Sequence, residues 1–279
     1  MRAAPPAGCA RASRPEPTAP LKLVSFNPLR TLGLDAIPLR AESFPADPAT
    51  LAAVREADCV LFPETWQVNA LHYALHKRIF PSVASHHLGV SKVEMTRAFQ
   101  AFVPANVPET LILPATESGA RTAAEALGFP MVVKQPRESM GRGVFKVESA
   151  RELAALLPSL DLLYAQELLP IDRDLRICWV GDAVLAAYWR IGGDGFHTNI
   201  SRGATESFDG IPPQALDLVA RVARALGVDH AGFDVAMVGD HPYLFELNTL
   251  FGNEVINRAG IDYAAALRRA LERKSQRAT

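Results

Sequence analysis

The sequence predicts a mixed α+β fold, with a small N-terminal α/β subdomain followed by two α+β subdomains built on antiparallel strands. Two hairpin signals carry this. "DLRICWVGDAVLAAYWR" is strand, tight turn at Gly181-Asp182, and strand, and "AGFDVAMVGDHPYLFELN" repeats the plan around Gly239-Asp240-His241. The third observation is the segment between them. "PQALDLVARVARALG" places Leu216, Val219, Ala223 and Leu226 at helical spacing and closes on Gly227, so an amphipathic helix separates two hairpins and the pattern is not a run of βαβ units.

Taken in chain order, residues 1–20, "MRAAPPAGCARASRPEPTAP", are rich in Ala, Pro and Arg without an apolar signal core, and read as a disordered tail. Residues 21–90 form the N-terminal unit. "LKLVSFN" is a short strand, and "LAAVREADCVLFP" is a helix followed by a buried strand over residues 58–62. Residues 91–165 form the central unit. Ser91 is placed to cap the helix "SKVEMTRAFQAF", and "RTAAEALGFPMVVKQ" is a helix ending at Gly128 with a strand to Lys134. Residues 166–279 form the C-terminal unit, which ends in the helix "DYAAALRRALERK" capped by Asp262.

Composition bounds the partners. A chain of 279 residues with 49% hydrophobic and 21% charged residues is globular in character. A net charge of −1 supplies no general attraction to nucleic acid or acidic lipid. No apolar run reaches the roughly 18 residues of a membrane span. Cys9, Cys59 and Cys178 are scattered and odd in number, which argues against a disulfide framework and for a reducing cytoplasm.

The chemistry concentrates in "HPYLFELNTLFGN". Glu246 and Asn248 share one strand face. A three-residue loop at Gly239-Asp240-His241 would pair Val238 with Pro242 and set Asp234 directly opposite Glu246, whereas a two-residue loop would turn Asp234 to the other face. Two carboxylates and an amide oxygen suit a hard cation such as Mg²⁺. The same groups would also serve at a solvated strand edge with Arg or Lys partners, and spacing does not separate the two readings. Upstream, "VVKQPRESMGRGVFKV" runs from strand through a Gly-rich loop into a strand. It is neither a Walker loop nor a dinucleotide fingerprint, and taken by itself it fits a surface hairpin turn better than a phosphate loop.

Seven segments in order then resemble one family: "SKVEMT", "VVKQPRESMGRGV", "AQELLP", "DLRICWVGD", "HTNISRGA", "AGFDVAMV" and "FELNTLFGN". Over residues 88–270 the chain resembles the ATP-grasp ligases, and among them the RimK-like carboxylate–amine ligases. The resemblance implies an ATP-grasp fold gripping ATP between antiparallel sheets, with Mg²⁺, or Mn²⁺ in its place, beside the nucleotide. It assigns Lys92 and Lys134 to the nucleotide phosphates, and Ser139, Met140, Gly141 and Gly143 to the loop covering them. Gln166, Glu167, Leu168 and Leu169 match the adenine-recognising segment, and Asp174 matches a residue reaching towards the ribose or nearby solvent. Arg176 and Arg202, with Asn199 before the latter, match groups facing the transferred phosphoryl and the substrate carboxylate. Asp234, Glu246 and Asn248 match the metal ligands.

Two departures stand out. The family usually has glycine where Glu138 stands and often proline where Phe251 stands, and residues 21–87 match only in α/β character. The implied function is ADP-forming amide synthesis through an acylphosphate, with an amino acid, a peptide or a carrier protein among the acid and amine substrates and a homo-oligomer as the family's habit. A carboxylate–thiol ligase of the same fold and a non-catalytic nucleotide sensor or scaffold are the alternatives. Outside this frame, His197 reads as a loop histidine, His86-His87 as a surface pair on a strand, Cys178 as a buried free thiol, and "RRALERK" as a solvated helix face.

Overall fold

Three sheets organise the chain. The computed structural model describes residues 20–136, 143–192 and 205–276. The first sheet is parallel, in the order β2-β1-β3-β4, from β1 (Leu23–Ser25), β2 (Ala36–Pro38), β3 (Cys59–Leu61) and β4 (Ile79–Phe80). Helix α1 (Pro48–Glu56) starts on Asp47, whose carboxylate accepts from the Thr50 N–H at 2.7 Å. The helix α2 (Thr65–Asn69) leads into β4, and α3 (Val83–Val90) follows. His86 and His87 therefore lie on a helix, not a strand, and they separate by exposure: His86 is buried and His87 is at the surface. A helix turns adjacent side chains about 100° apart, which a pair read as a surface strand does not anticipate.

The second sheet runs β5-β8-β6-β7 and is antiparallel, from β5 (Thr110–Leu113), β6 (Met131–Lys134), β7 (Val144–Val147) and β8 (Leu163–Glu167). It follows α4 (Lys92–Phe102), where Ser91 accepts from Glu94 N–H at 3.3 Å as the expected N-cap. Helices α5 (Glu117–Leu127) and α6 (Ala150–Leu156) cover it, and α5 ends on Gly128 at φ +67°. The third sheet is antiparallel in the order β11-β10-β9-β12-β13, from β9 (Arg173–Val180), β10 (Ala183–Ile191), β11 (Thr205–Ser207), β12 (His230–Val238) and β13 (His241–Asn248).

One face of this sheet carries Leu175, Ile177 and Trp179 of β9 and Phe233 and Val235 of β12. They pack against Met95 and Phe99 of α4 and against α7 (Pro213–Leu226). The buried stripe of α7 is Ala215, Leu218, Val219, Val222 and Ala223; Leu216 and Leu226 only flank it, because the stripe is centred about one residue away from the predicted one. Each such Val or Leu contributes roughly 1.5–3 kcal/mol by leaving water. After α8 (Glu254–Arg258), α9 (Tyr263–Gln276) is capped by Asp262, which accepts from Ala265 N–H at 2.8 Å. Leu267 and Leu271 of α9 pack with Cys178 and Val180 on the other face of the third sheet and with Cys59 and Leu61 of β3, so this core joins the first sheet to the third. Cys59 and Cys178 are both buried. Among the described residues no helix is long and apolar enough to cross a membrane.

Candidate active site

The two hairpins of the third sheet share a construction that the sequence does not display. Each turns in two residues: Val180 pairs with Ala183, and Val238 pairs with His241. Each then carries one extra residue in its second strand, Leu185 in β10 and Phe245 in β13. The turn at Gly239-Asp240 is thus not the three-residue loop expected, and an unbroken ladder from it would face Asp234 with Phe245. The bulge restores the pairing, so Asp234 does stand opposite Glu246. Leu244 and Leu247 confirm the shift: three apart in a strand, both are buried in the same core.

Four strands then contribute one row of side chains to the other face. Tyr188 pairs with Arg176, Arg176 with Asp234, and Asp234 with Glu246. The Arg176 Nε lies 2.9 Å from Asp234 Oδ1, and its Nη2 donates to Oδ2 at 3.4 Å. In the next row Gly232 pairs with Asn248, and the Arg176 guanidinium crosses Gly232 so closely that a Cβ there would sit 2.5 Å from Nη1. Asn248 Nδ2 donates to Glu246 Oε1 at 3.0 Å, while Lys92, the first residue of α4, reaches Glu246 Oε2 at 3.5 Å. Like charges set side by side in a sheet repel, and here Arg and Lys offset them. Asp234 is buried, whereas Glu246 and Asn248 are half-buried on the edge strand β13.

Lys134, at the end of β6, brings the second sheet to this face. Its Nζ lies 5.7 Å from the centre of the Tyr164 ring and 5.4 Å from that of Phe245, the bulged residue. Burial pushes its ammonium down to about 8, against the upward pull of Glu246. Burial pushes the Asp234 carboxyl above its ordinary value against the pull of Arg176 and Arg190. For Glu246 burial also acts upward, but Lys92, Lys134, the Asn248 bond and Arg176 together hold it below the usual carboxylate value.

The adenine-matching segment ends β8. Gln166 Nε2 donates to Thr110 Oγ1 at 2.7 Å, and Glu167 Oε1 accepts from Glu109 N–H at 2.7 Å. Both side chains are committed to partners within the protein. Leu168 and the buried Leu169 begin the connection from the second sheet to the third. Gly143 adopts φ +69° and its carbonyl accepts from Gln135 N–H at 2.7 Å, closing the β6–β7 hairpin; only glycine takes that backbone conformation without strain. Ser139, Met140, Gly141, Glu138, His197, Asn199 and Arg202 lie outside the described residues.

Asp174 departs from expectation. It does not reach towards solvent: both its oxygens accept from Arg190, at 2.7 Å from Nε and 2.5 Å from Nη2. The exposed carboxylate of that region is Asp172. Arg190 itself, and the Tyr164–Phe245 bracket around Lys134, went unnoticed in the sequence. The alternation in "YWR" carried the only signal for Arg190, and the Leu185 bulge decides which face it takes.

The fit to a divalent cation can be judged from the donors. Asp234 Oδ1 touches Arg176 and Arg190, yet neither N–H is directed at it well enough to form a hydrogen bond, which leaves a buried oxygen with unused capacity. With Glu246 and Asn248 it makes a hard, all-oxygen set that suits Mg²⁺ or Mn²⁺.

Comparisons with known proteins bear on the family and the fold. The family description "RimK-like ATP-grasp domain" matches residues 96–271. A ribosomal protein bS6–L-glutamate ligase of Escherichia coli O81 is 32% identical over 154 residues, covering 52% of this chain and 51% of that protein. The chain spans about half the length of the curated relatives it matches. Among solved structures, a D-alanine–D-alanine ligase of Bacillus anthracis superposes with a TM-score of 0.63 at 16% identity, over 85% of this chain and 84% of that one. A RimK domain ATP-grasp protein of Sphaerobacter thermophilus gives 0.59 at 18% identity, over 77% and 81%. With the fold, the order of the segments and the family match in accord, the chain belongs to the RimK-like ATP-grasp family.

Proposed function

We propose that this protein is an ATP-dependent carboxylate–amine ligase that joins an amino acid to a peptide or protein acceptor. The observation that carries the reading is the row Arg176–Asp234–Glu246, with Lys92 on Glu246 and Lys134 above the same face from the second sheet. The acceptor class is supported by the E. coli relative, whose name couples glutamate to a ribosomal protein.

A carboxylate is a poor acyl donor because its resonance-stabilised anion has no good leaving group. Phosphorylation by the γ-phosphoryl of ATP makes an acylphosphate. An amine then adds to the acyl carbon, phosphate departs, and the amine nitrogen loses its proton, leaving ADP, phosphate and an amide. The protein's work in such a reaction is positioning and charge neutralisation. Lys92 and Lys134 hold phosphate oxygens, Lys134 from a site whose aromatic walls restrict water. Arg176, planar and always charged, keeps Nε and Nη2 on Asp234 and presents Nη1 over Gly232 to the transferred group. Asp234, Glu246 and Asn248 would hold Mg²⁺, which would supply charge neutralisation for the transferred phosphoryl group.

The test is ADP release by the full chain with Mg·ATP against amino acids and dipeptides, alone and in pairs, with Glu246→Ala as blank. ADP that depends on an acid and rises with an amine supports the ligase and names its substrates. ATP binding without ADP formation for any pair points to a protein acceptor or to a nucleotide-binding role alone.

A further inference from the structure

Behind the carboxylate row lies a second, fully buried charge pair. Arg190 is 5% exposed and Asp174 6%. The guanidinium is held by both oxygens of Asp174, and its Nη2 also lies 3.2 Å from Asp234 Oδ1. A bidentate guanidinium–carboxylate pair fixes orientation as well as charge. We propose that Arg190 is a positioning residue for the metal site: anchored by Asp174, it holds the Asp234 carboxylate in the orientation that serves the cation. This rests on the ligase reading of the same site.

Three observations support it. Arg190 reaches this face only through the Leu185 bulge; a regular ladder from the Gly181-Asp182 turn would set Trp189 opposite Asp174. A buried ion pair is no efficient source of stability, since apolar residues of equal volume often do as well or better. Its extension to a third charged group is what outer-sphere orienting groups look like at metal sites. Finally, the two arginines on Asp234 divide the work. Arg176 lies over Gly232 at the open side and can engage a phosphoryl group, whereas Arg190 is enclosed and has Asp174 and Asp234 as its charged partners. Arg176 divides its guanidinium between Asp234 and the open side, whereas Arg190 keeps its own within the buried cluster. Its contact with Oδ1 at 3.2 Å fixes the carboxylate without a directed hydrogen bond, so that oxygen keeps capacity for a cation.

The experiment measures Mn²⁺ binding to the full chain by electron paramagnetic resonance, in the presence of a saturating non-hydrolysable ATP analogue. Thermal unfolding in EDTA is recorded alongside as the measure of fold. Arg190→Lys is expected to raise the Mn²⁺ half-saturation about tenfold or more, as outer-sphere changes at metal sites do, and Asp174→Asn to raise it severalfold. Asp174→Asn preserves shape and leaves Arg190 in place, so it decides the matter if the lysine variant does not fold. Folded variants that bind Mn²⁺ within about twofold of the parent overturn the proposal. Asp234→Asn separates the two levels. If it weakens Mn²⁺ binding while the Asp174 and Arg190 changes do not, the positioning role alone falls. If it too leaves binding unchanged, the metal reading of the site falls with it.

Discussion

Asp234 stands directly opposite Glu246 across the β12–β13 hairpin, and it does so because Phe245 is an extra residue in β13. The bulge turns Glu246 to the face of Asp234 and brings the Phe245 ring to Lys134. One local irregularity therefore brings together Asp234 and Glu246 of the third sheet and Lys134 of the second.

On the proposed reading, Glu246→Ala removes one metal ligand from a half-buried position while leaving the strand pairing in place. Mg²⁺-dependent ADP formation should fall by roughly a hundredfold or more, beyond the loss seen for outer-sphere groups, with a cooperative unfolding transition retained. Steady-state assays beside a melting curve check it; activity within about threefold of the parent sinks the metal assignment.

Gly232→Ala tests how closely Arg176 is seated. The new Cβ would meet Arg176 Nη1 at 2.5 Å and Phe251 Cβ at 2.9 Å, and Phe251 is held by its stacking on His230. The guanidinium has to move. A stability loss of about 1–3 kcal/mol, typical of overpacking, should accompany a much larger loss in kcat/KM. Equal losses in both would mean that Arg176 has no special part in turnover.

Lys134 predicts a pH dependence for nucleotide binding. Its ammonium is pushed down to about 8 by burial, so above that pH the unliganded protein loses the charge that attracts phosphate. Affinity for an ATP analogue should fall between pH 8 and 9.5 by up to about tenfold per unit, the limit for one linked proton. Calorimetric titrations across that range check it, and Lys134→Arg should flatten the decline.

His86 and His230 predict acid lability. Burial lowers both to about 4. His230 is held by Thr249 O at Nδ1 and the Tyr263 hydroxyl at Nε2, each at 2.7 Å, while among the described residues His86 Nε2 has no hydrogen-bond partner. Between pH 6.5 and 4 the unfolded chain binds protons that the folded chain does not, so stability falls as pH falls through that window. Each histidine contributes up to about 3 kcal/mol to the loss. Melting curves at intermediate pH should show His86→Leu reducing the slope by about one proton.

Much of this molecule was legible from local pattern. The caps at Ser91 and Asp262, the turn at Gly181-Asp182 and the helix stop at Gly128 follow from backbone chemistry within a few residues. The identity of Asp234, Glu246, Asn248, Arg176 and Lys134 as a set followed from the order of seven segments. Their juxtaposition did not. A strand alternates with period two, so one extra residue reverses every side chain beyond it, and no local preference announces which residue is extra. Leu185 and Phe245 are both apolar residues in apolar strands. They become the bulges because the core beneath the third sheet accepts Leu175, Trp189, Leu244 and Leu247 in one register only. For the same reason nothing in the sequence pairs Asp174 with Arg190, yet in the fold they face each other in the interior. What the sequence determined by itself was the order of elements and the chemistry they carry. Which side chains meet was decided by packing, since burial of one face of the sheet selects the register of the other.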